Sequence, residues 1–207
     1  IRGEEWLPST PLHIMLYQAL GHTPPKFAHL PLVLKPAPHK GKLSKRDGTS
    51  LGIPIFPFSF TNDDGSVSAG YVEQGYYSQA IVNMMALLGW NPGSGSEKEI
   101  FSMQELIDTF DLSQVHKAGA KYNPDKTKWF NQQYLRMKSD ADLAGEFLRS
   151  KSFEPYVPTF YFVESVVKMV RHKISFVHEI YDQAKYLFEM PISYDMDILK
   201  KNLTPEM

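Results

Sequence analysis

The feature that most restricts the fold of this chain is a change in apolar spacing near residue 73. Before it, the pattern predicts one strand, one helix and one strand, followed by a hairpin; after it, the pattern predicts helices only. Such a start without further α/β units predicts the end of a parallel-sheet domain whose earlier part lies upstream. Because the chain begins at Ile1 rather than at a Met, we expect a fragment of a longer protein.

Short motifs predict where individual elements begin and turn. Ser9-Thr10-Pro11 predicts the start of the first helix, because a hydroxyl cap and a first-turn proline suit a helix N-terminus. The run 27–35 predicts a buried strand, and Asn62-Asp63-Asp64-Gly65 predicts a hairpin turn. Further helices are expected at about 73–88, after the capping box Ser102–Glu105, after Asn123-Pro124, and at 140–150, 159–173 and 175–189.

Composition excludes several kinds of site. With no Cys, the chain has no disulfide partner, no thiolate nucleophile and no cysteine-based zinc site. The seven His show no ligand spacing, so we expect no metal site. A net charge of −1 argues against a wholly basic nucleic-acid binder, and no apolar run approaches the roughly 20 residues that cross a bilayer.

The charge is distributed in alternating zones. Residues 1–60 and 117–138 are basic, whereas 61–116 and 139–207 are acidic. The second basic zone holds six Lys and Arg against one acidic residue, with aromatics between them, which suits an RNA backbone. The alternative is an amphipathic helix with its Lys residues on the solvent-exposed face and Trp129 and Phe130 in the core. For the aromatics we favour this core interpretation.

The segment 41–48, Gly-Lys-Leu-Ser-Lys-Arg-Asp-Gly, carries the most chemical information. Three cations, a hydroxyl and free backbone N–H groups are suited to binding a polyphosphate, and the glycines let the backbone approach a ligand. The segment is not a P-loop, because Leu43 follows Lys42 where that motif needs Ser or Thr, and Pro36 takes the place of its first Gly. A solvated basic loop is the alternative.

Lys42-Leu43-Ser44-Lys45-Arg46 resembles the KMSKS-type signature of class I aminoacyl-tRNA synthetases. Other segments resemble bacterial-type glutamyl-tRNA synthetases in order and spacing over nearly the whole chain: Ile1–Leu7 with Ser9-Thr10-Pro11 and Tyr17, Phe27–Leu32, Ala80–Trp90, Glu99–Ser102, Trp129–Arg136 and Ala184–Phe188. Two departures stand out. In place of the family's His-x-Gly-His motif there is only Leu20-Gly21-His22 after Ala19, and residues 51–68 are longer than the family's usual connection.

The resemblance implies a mostly α fold with a truncated α/β start, as a C-terminal portion of such a synthetase. Residues 1–46 would be the end of the Rossmann-like catalytic nucleotide-binding domain. Residues 47–135 would form the stem-contact domain, with a hairpin insertion at about 51–68. Residues 136–207 would be the first part of the helical anticodon-binding domain.

The same resemblance implies a cytoplasmic glutamate–tRNA ligase whose partners are ATP, L-glutamate and tRNA-Glu. Mg²⁺ would arrive with ATP. Because the His-x-Gly-His motif is missing, we expect this chain alone to form no adenylate. Two alternatives stay open: the isolated chain is a non-catalytic tRNA-binding module, or the parent is a glutaminyl-type relative. A glutamyl-queuosine-type relative is disfavoured because it lacks the long helical C-terminal half.

Residue roles follow from the resemblance, position by position. Lys45 would be the catalytic lysine, whose compact charge stabilises the phosphates. In the glutamate site, Arg2 would hold the side-chain carboxylate, Glu5 would contact the amino acid through its ammonium, and Trp6 would wall the pocket. The ATP-binding positions would be Val33, Lys42, Leu43, Ser44, Lys45 and Arg46, and the tRNA-binding positions Lys117, Lys121, Lys126, Lys128 and Arg136.

Each of these residues also has a purely structural interpretation. Trp6 and Val33 can be core residues, and for Val33 we favour the core, with any adenine contact incidental. Glu5 can be an acid near a helix start, where the helix dipole favours negative charge. Lys45 can be a solvated lysine.

Overall fold

The computed structural model describes residues 1–93, 97–150, 157–189 and 196–198. Contacts within the chain divide it into two units, residues 1–134 and residues 135–207.

Short strands form three two-stranded sheets in the described part of the chain. The pairs are β1 (Arg2–Gly3) with β2 (His29–Leu30), β3 (Val33–Leu34) with β6 (Ala120–Lys121), and β4 (Phe60–Thr61) with β5 (Val67–Ser68). The first two pairs are parallel and the third is antiparallel. The parallel pairs join segments far apart in sequence, which a parallel arrangement requires.

Helices make up most of the remaining regular structure. In chain order they are a 3-10 helix (Glu4–Ser9), α1 (Thr10–Ala19), α2 (Lys45–Leu51), α3 (Ser78–Leu87), α4 (Met103–Thr109), a second 3-10 helix (Leu112–Gln114), α5 (Pro124–Met137), α6 (Asp140–Ser150), α7 (Phe160–Val170) and α8 (Glu179–Phe188). The predicted order of a short strand–helix–strand start, a hairpin and then helices is confirmed in outline. Within the described residues the structure departs from it in three places: the second strand is divided into β2 and β3, helix α2 begins inside the segment expected to be a loop, and strand β6 lies among the helices.

The predicted buried strand 27–35 is wrong in extent and in burial. The structure divides it into β2 and β3, and both are only partly buried. Pro31 lies between them and has no N–H to donate, so a strand ladder cannot continue through it. Each half therefore pairs with a different partner strand.

Several local predictions are confirmed. In the hairpin turn, Asn62 N–H donates to the Ser66 carbonyl at 2.8 Å, and Gly65 takes φ +81°. At the start of α4, Ser102 Oγ accepts from the Glu105 N–H, and the Glu105 carboxylate accepts from the Ser102 N–H. These two bonds form the complete capping box. α5 begins at Pro124 as expected.

Two helix starts differ from the prediction. α3 begins at Ser78 rather than near residue 73, because the preceding residues form turns and Gly75 takes φ +85°. Pro11 lies in the first turn of α1 as expected, but Ser9 does not cap that helix. Its hydroxyl donates to the Trp6 carbonyl at 2.9 Å, because the preceding residues already form a 3-10 helix.

The core of the first unit anchors segment 41–48, which we call the basic loop. Its buried cluster consists of Ile53, Ala80, Met84, Tyr122 and Phe130, and the partly buried Val33, Leu43 and Leu51 pack against it. Full burial of a large apolar side chain such as Met84 or Phe130 stabilises the unit by roughly 1.5–3 kcal/mol. The residues on both sides of the loop's cations are therefore held by packing.

The second unit is helical. Buried side chains from α6, α7 and α8 include Leu143, Phe147, Val163, Val167 and Ile180. Arg171 forms an ion pair with Asp140 and donates to the Lys138 carbonyl at 2.8 Å. Among the described residues, no helix combines the length and the apolar character needed to span a membrane.

Candidate functional site

The basic loop is anchored to β3 through its backbone. Lys35 N–H donates to the Gly41 carbonyl at 2.9 Å, and Leu43 N–H donates to the Val33 carbonyl at 2.8 Å. The loop cations that follow, Lys42, Lys45 and Arg46, are exposed. A fixed backbone with exposed charges can present those charges to an anionic ligand.

Asp47 fixes the start of α2. Its Oδ2 accepts from the Ser44 N–H at 2.8 Å and from the Ser44 hydroxyl at 2.6 Å, and its Oδ1 pairs with the Lys35 ammonium at 2.7 Å. The hydrogen bond from Lys35, and then those from Ser44, lower the pKa of Asp47 to about 2. Asp47 is therefore ionised at neutral pH and holds the helix turn that carries Lys45.

The side chain of Lys45 lies beside the hairpin. Its Nζ is 5.4 Å from the centroid of the Phe56 ring, a favourable cation–aromatic contact. Lys45, Phe56 and Phe60 line the same cleft. Gly48 permits this close packing, because a Cβ at that position would lie 2.4 Å from Ile55 Cγ1. The hairpin thus forms one wall of the cleft that contains the predicted catalytic lysine.

Arg2 is held by side chains from α1 and from the segment around β2. Its Nε donates to His29 Nε2 at 3.0 Å, one terminal nitrogen contacts His13 Nδ1 at 2.7 Å, and the other donates to Thr10 Oγ1 at 2.8 Å. The guanidinium carbon lies 5.0 Å from the centroid of the Phe27 ring. Arg2 is partly buried, so these contacts fix its orientation.

The structure brings together two residues that the sequence assigned to different substrates. The Lys42 ammonium donates to the Glu5 carboxylate at 2.8 Å. This hydrogen bond is the main cause that lowers the pKa of Glu5. The neighbouring Glu4 accepts from the Leu32 N–H at 3.2 Å, which ties the 3-10 helix to the residue before β3.

Trp6 and Val33 differ in their surroundings. Trp6 is 52% exposed, so its interpretation as a core residue is wrong; its ring lies 6.2 Å from the His13 ring. Val33 packs against the core cluster, in agreement with the favoured interpretation.

The aromatics of the second basic zone belong to the core. Tyr122 and Phe130 are buried, and Trp129 and Tyr134 pack against the same cluster. The Tyr134 hydroxyl donates to the Phe101 carbonyl at 2.7 Å. The interpretation of Trp129 and Phe130 as core residues is confirmed, because both side chains pack in this cluster.

Some cations of this zone have partners within the protein. The Lys126 ammonium pairs with Glu99 at 2.5 Å and lies 4.2 Å from the Trp129 ring centroid. Arg136 donates to the His172 carbonyl at 3.2 Å within the second unit. Lys117, Lys121 and Lys128 are exposed. Lys117 also lines a cleft that contains Glu4 and His29.

Several residues that shape the site were not found from the sequence. The capping pattern Ser44-x-x-Asp47 was a usable signal for Asp47. Nothing in the sequence indicated that Lys35, His13 or His29 would contact site residues, because these contacts arise only from the fold. Among the described residues, no cluster of three or more His, Asp or Glu could hold a metal ion.

Comparisons with known proteins identify the family and the fold of the chain. Residues 1–129 match the family model described as tRNA synthetases class I (E and Q), catalytic domain. The glutamate–tRNA ligase of Flavobacterium johnsoniae is 49% identical over 212 residues, covering 100% of this chain and 41% of the relative. That of Flavobacterium psychrophilum is 48% identical over 209 residues, with the same two shares. A crystal structure of a glutamate tRNA ligase from Elizabethkingia meningosepticum, in complex with its amino acid, is 46% identical with a TM-score of 0.88, covering 99% of this chain and 40% of that one.

The chain spans about two fifths of the length of these relatives. The similarity extends over both sequence and structure and shows the catalytic-domain fold of class I synthetases. Because the matching family model describes a catalytic domain, the prediction that the chain is a C-terminal portion is not supported.

Proposed function

The chain belongs to the class I tRNA synthetases of the glutamate and glutamine group, and we propose that the protein carrying it is a glutamate–tRNA ligase. In the first step, a carboxylate oxygen of L-glutamate attacks the α-phosphorus of ATP and pyrophosphate leaves. In the second, a hydroxyl of the 3′-terminal ribose of tRNA-Glu attacks the glutamyl carbonyl of the adenylate, the new ester forms and AMP leaves. The basic loop carries the proposal, since its backbone is fixed at β3 and α2 while its cations stay exposed.

The loop suits the phosphates of MgATP, which we propose as the nucleotide substrate. Lys45 is the proposed catalytic residue, and Lys42 and Arg46 add positive charge on the same loop. Cations that are already in place when negative charge develops stabilise a transition state without reorganisation. Leu43 and Ser44 contribute backbone, and Val33 lies beneath the loop as part of its packing.

Arg2 and Glu5 suit the two charged ends of an amino acid. A guanidinium binds a carboxylate through two parallel hydrogen bonds, which favours glutamate over glutamine at Arg2. Glu5 offers a carboxylate for the substrate ammonium, which then replaces the Lys42 ammonium. The exposed Trp6 forms a side of this pocket.

We assign the tRNA to the helical parts of the chain. Residues 47–135 are the proposed stem-contact domain and 136–207 the proposed start of the anticodon-binding domain. Lys117, Lys121, Lys128 and Arg136 are the proposed backbone contacts, since cations bind phosphates regardless of sequence. Lys126 is a weaker candidate, because a tRNA phosphate would compete with Glu99 for its ammonium.

The test is pyrophosphate exchange into ATP by the complete protein that carries this chain. We expect exchange that depends on glutamate and is much slower with glutamine at the same concentration. Faster exchange with glutamine would replace the proposal with a glutaminyl enzyme. Exchange with neither amino acid, in the presence of the cognate tRNA as well, would rule out both.

A further inference from the structure

Arg2 is surrounded by more hydrogen-bonding side chains than binding of a carboxylate requires. All three nitrogens of its guanidinium contact side chains: His29 at 3.0 Å, His13 at 2.7 Å and Thr10 at 2.8 Å. The Phe27 ring covers one face of the guanidinium at 5.0 Å. Two imidazoles beside one cation are unusual partners, since imidazoles can themselves become cationic.

The contacts define the protonation state of both imidazoles. A guanidinium has donors only, so His13 Nδ1 and His29 Nε2 must each accept a hydrogen bond. Both rings are therefore neutral in this arrangement. His13 carries its proton on Nε2, and His29 carries its proton on Nδ1.

We propose that His13 and His29 are positioning residues that orient Arg2 toward the side-chain carboxylate of glutamate, and that protonation of either ring releases Arg2. This inference rests on the glutamate-binding role of Arg2 given in the proposed function. A protonated ring has no acceptor for Arg2 and adds a second positive charge beside it. Acid should therefore weaken glutamate binding by disordering the guanidinium.

No hydrogen-bonded carboxylate compensates either imidazole within the described residues. Glu4 lines the same cleft as His29 but accepts from the Leu32 N–H, and Glu5 pairs with Lys42. Other titratable groups lining that cleft are His116 and Lys117. Around the rings themselves lie Trp6, 6.2 Å from His13, and Phe27, stacked 6.5 Å from His29. A newly formed imidazolium would thus face Arg2 without a bonded counter-ion.

Amide side chains provide matched variants. The amide oxygen of Asn occupies nearly the position of Nδ1, so His13→Asn keeps the acceptor without the ability to become protonated. The longer Gln places its oxygen near Nε2, so His29→Gln does the same at the second site. His13→Ala and His29→Ala remove the acceptor. His13→Gln and His29→Asn keep an amide oxygen but place it too far from, or too short of, the position of the original nitrogen.

The kinetic test measures KM and kcat for glutamate, and KM for ATP, by pyrophosphate exchange between about pH 5.5 and 8.5. We expect either alanine variant to raise KM for glutamate about tenfold at neutral pH with KM for ATP unchanged. His13→Asn and His29→Gln should remain within about threefold of the unsubstituted protein, and together they should remove the rise of KM in acid. The proposal would be overturned by alanine variants with an unchanged KM for glutamate. It would also be overturned if KM for glutamate still rose fully in acid in His13→Asn and His29→Gln.

A second measurement on the 207-residue chain does not depend on activity. Long-range nitrogen–proton NMR correlations report which ring nitrogen of each His is protonated. At neutral pH we expect His13 protonated at Nε2 and His29 at Nδ1. The opposite tautomers, or cationic rings at neutral pH, would overturn the inference. If the unsubstituted protein shows no glutamate-dependent exchange, the proposed function fails, and the tautomers alone decide whether the two His hold Arg2.

Discussion

The carboxylate of Glu5 and the ammonium of Lys42 form an ion pair at 2.8 Å although 37 residues separate them. Glu5 lies in the part of the site proposed for the amino acid, and Lys42 lies in the loop proposed for the nucleotide. Glu5 and Lys42 are therefore paired with each other until substrates bind. Binding of glutamate at Glu5 should release Lys42 for ATP, and binding of ATP at Lys42 should release Glu5 for glutamate.

Lys42→Met is expected to change the two KM values in opposite directions. Without Lys42, Glu5 is free for the substrate ammonium, so KM for glutamate should fall by a few-fold, while KM for ATP should rise. Pyrophosphate exchange measures both constants. Lys40→Met, on the exposed lysine just before the loop, is the matched control and should change neither. Equal effects of the two variants would argue against the ion pair as the cause.

Lys45→Ala is expected to slow adenylate formation far more than it weakens glutamate binding. If Lys45 acts on the charge that develops at the phosphates, its loss should raise the barrier by ~2–4 kcal/mol, which slows the step roughly 30- to 900-fold. Single-turnover adenylation in the complete protein measures this step. An unchanged rate would leave Lys45 as a solvated lysine.

The capping network of Asp47 is expected to contribute to stability in a defined pH range. Because the pKa of Asp47 is lowered to about 2 in the folded protein, its contribution is fully present above about pH 4 and is lost as the pH falls towards 2. Asp47→Asn should therefore lower Tm at pH 7, and the difference from the unsubstituted chain should shrink in acid. Thermal unfolding followed by circular dichroism gives both values. Asp63→Asn, in the exposed hairpin turn, removes the same charge without the capping contacts and should lower Tm at pH 7 by less.

Charge reversal at Lys117 and Lys121 is expected to weaken tRNA binding by the 207-residue chain. If about three cations contact phosphates, the log–log dependence of affinity on salt should have a slope of roughly −2 to −3, and the double Glu variant should bring it near −1. Filter binding over a salt series measures the slope. Lys168→Glu with Lys173→Glu reverses the same charge on exposed residues of the second unit and should have the smaller effect. Equal loss in both variants would contradict the assignment.

Asn83→Ala is expected to destabilise the first unit by about 2–4 kcal/mol. Asn83 is fully buried, and its side chain bonds the Phe101 N–H at 2.7 Å, the Glu99 carbonyl at 2.9 Å and the Tyr134 hydroxyl at 2.8 Å. Alanine would leave these groups buried with fewer partners. Urea unfolding measures the loss, and Gln79→Ala on the exposed face of α3 should cost much less.

The parts of the fold that the sequence predicted depend on neighbouring residues. The capping box at Ser102 and the turn at Asn62–Gly65 are each formed within four or five residues, so their side chains and backbone largely determine them. The strand 27–35 was predicted as one element because Leu30, Leu32, Val33 and Leu34 lie close together in it. The prediction gave too little weight to Pro31, whose missing N–H divides the pairing.

The parts of the site that the sequence did not predict are contacts across long separations. Arg2 with His29 and Asp47 with Lys35 were not predicted, since neither pair has a spacing that indicates contact. The family resemblance named Arg2, Glu5 and Lys42 individually, but it did not indicate that Glu5 and Lys42 contact each other. Long-range contacts of this kind require the positions of the strands that bring the residues together.

The division of the predicted strand at Pro31 also determines where residues can be inserted or deleted. β2 aligns with Arg2, and β3 aligns with the basic loop, so the few residues between them act as a spacer between the two ends of the site. Extended chain advances about 3.3 Å per residue, and successive side chains point to opposite sides. Deleting one residue between His29 and Val33 would shorten the spacer by that amount and reverse the side to which every following strand residue points. An exposed turn such as Asn62–Gly65 should accept an inserted residue more readily than this two-residue connection between β2 and β3.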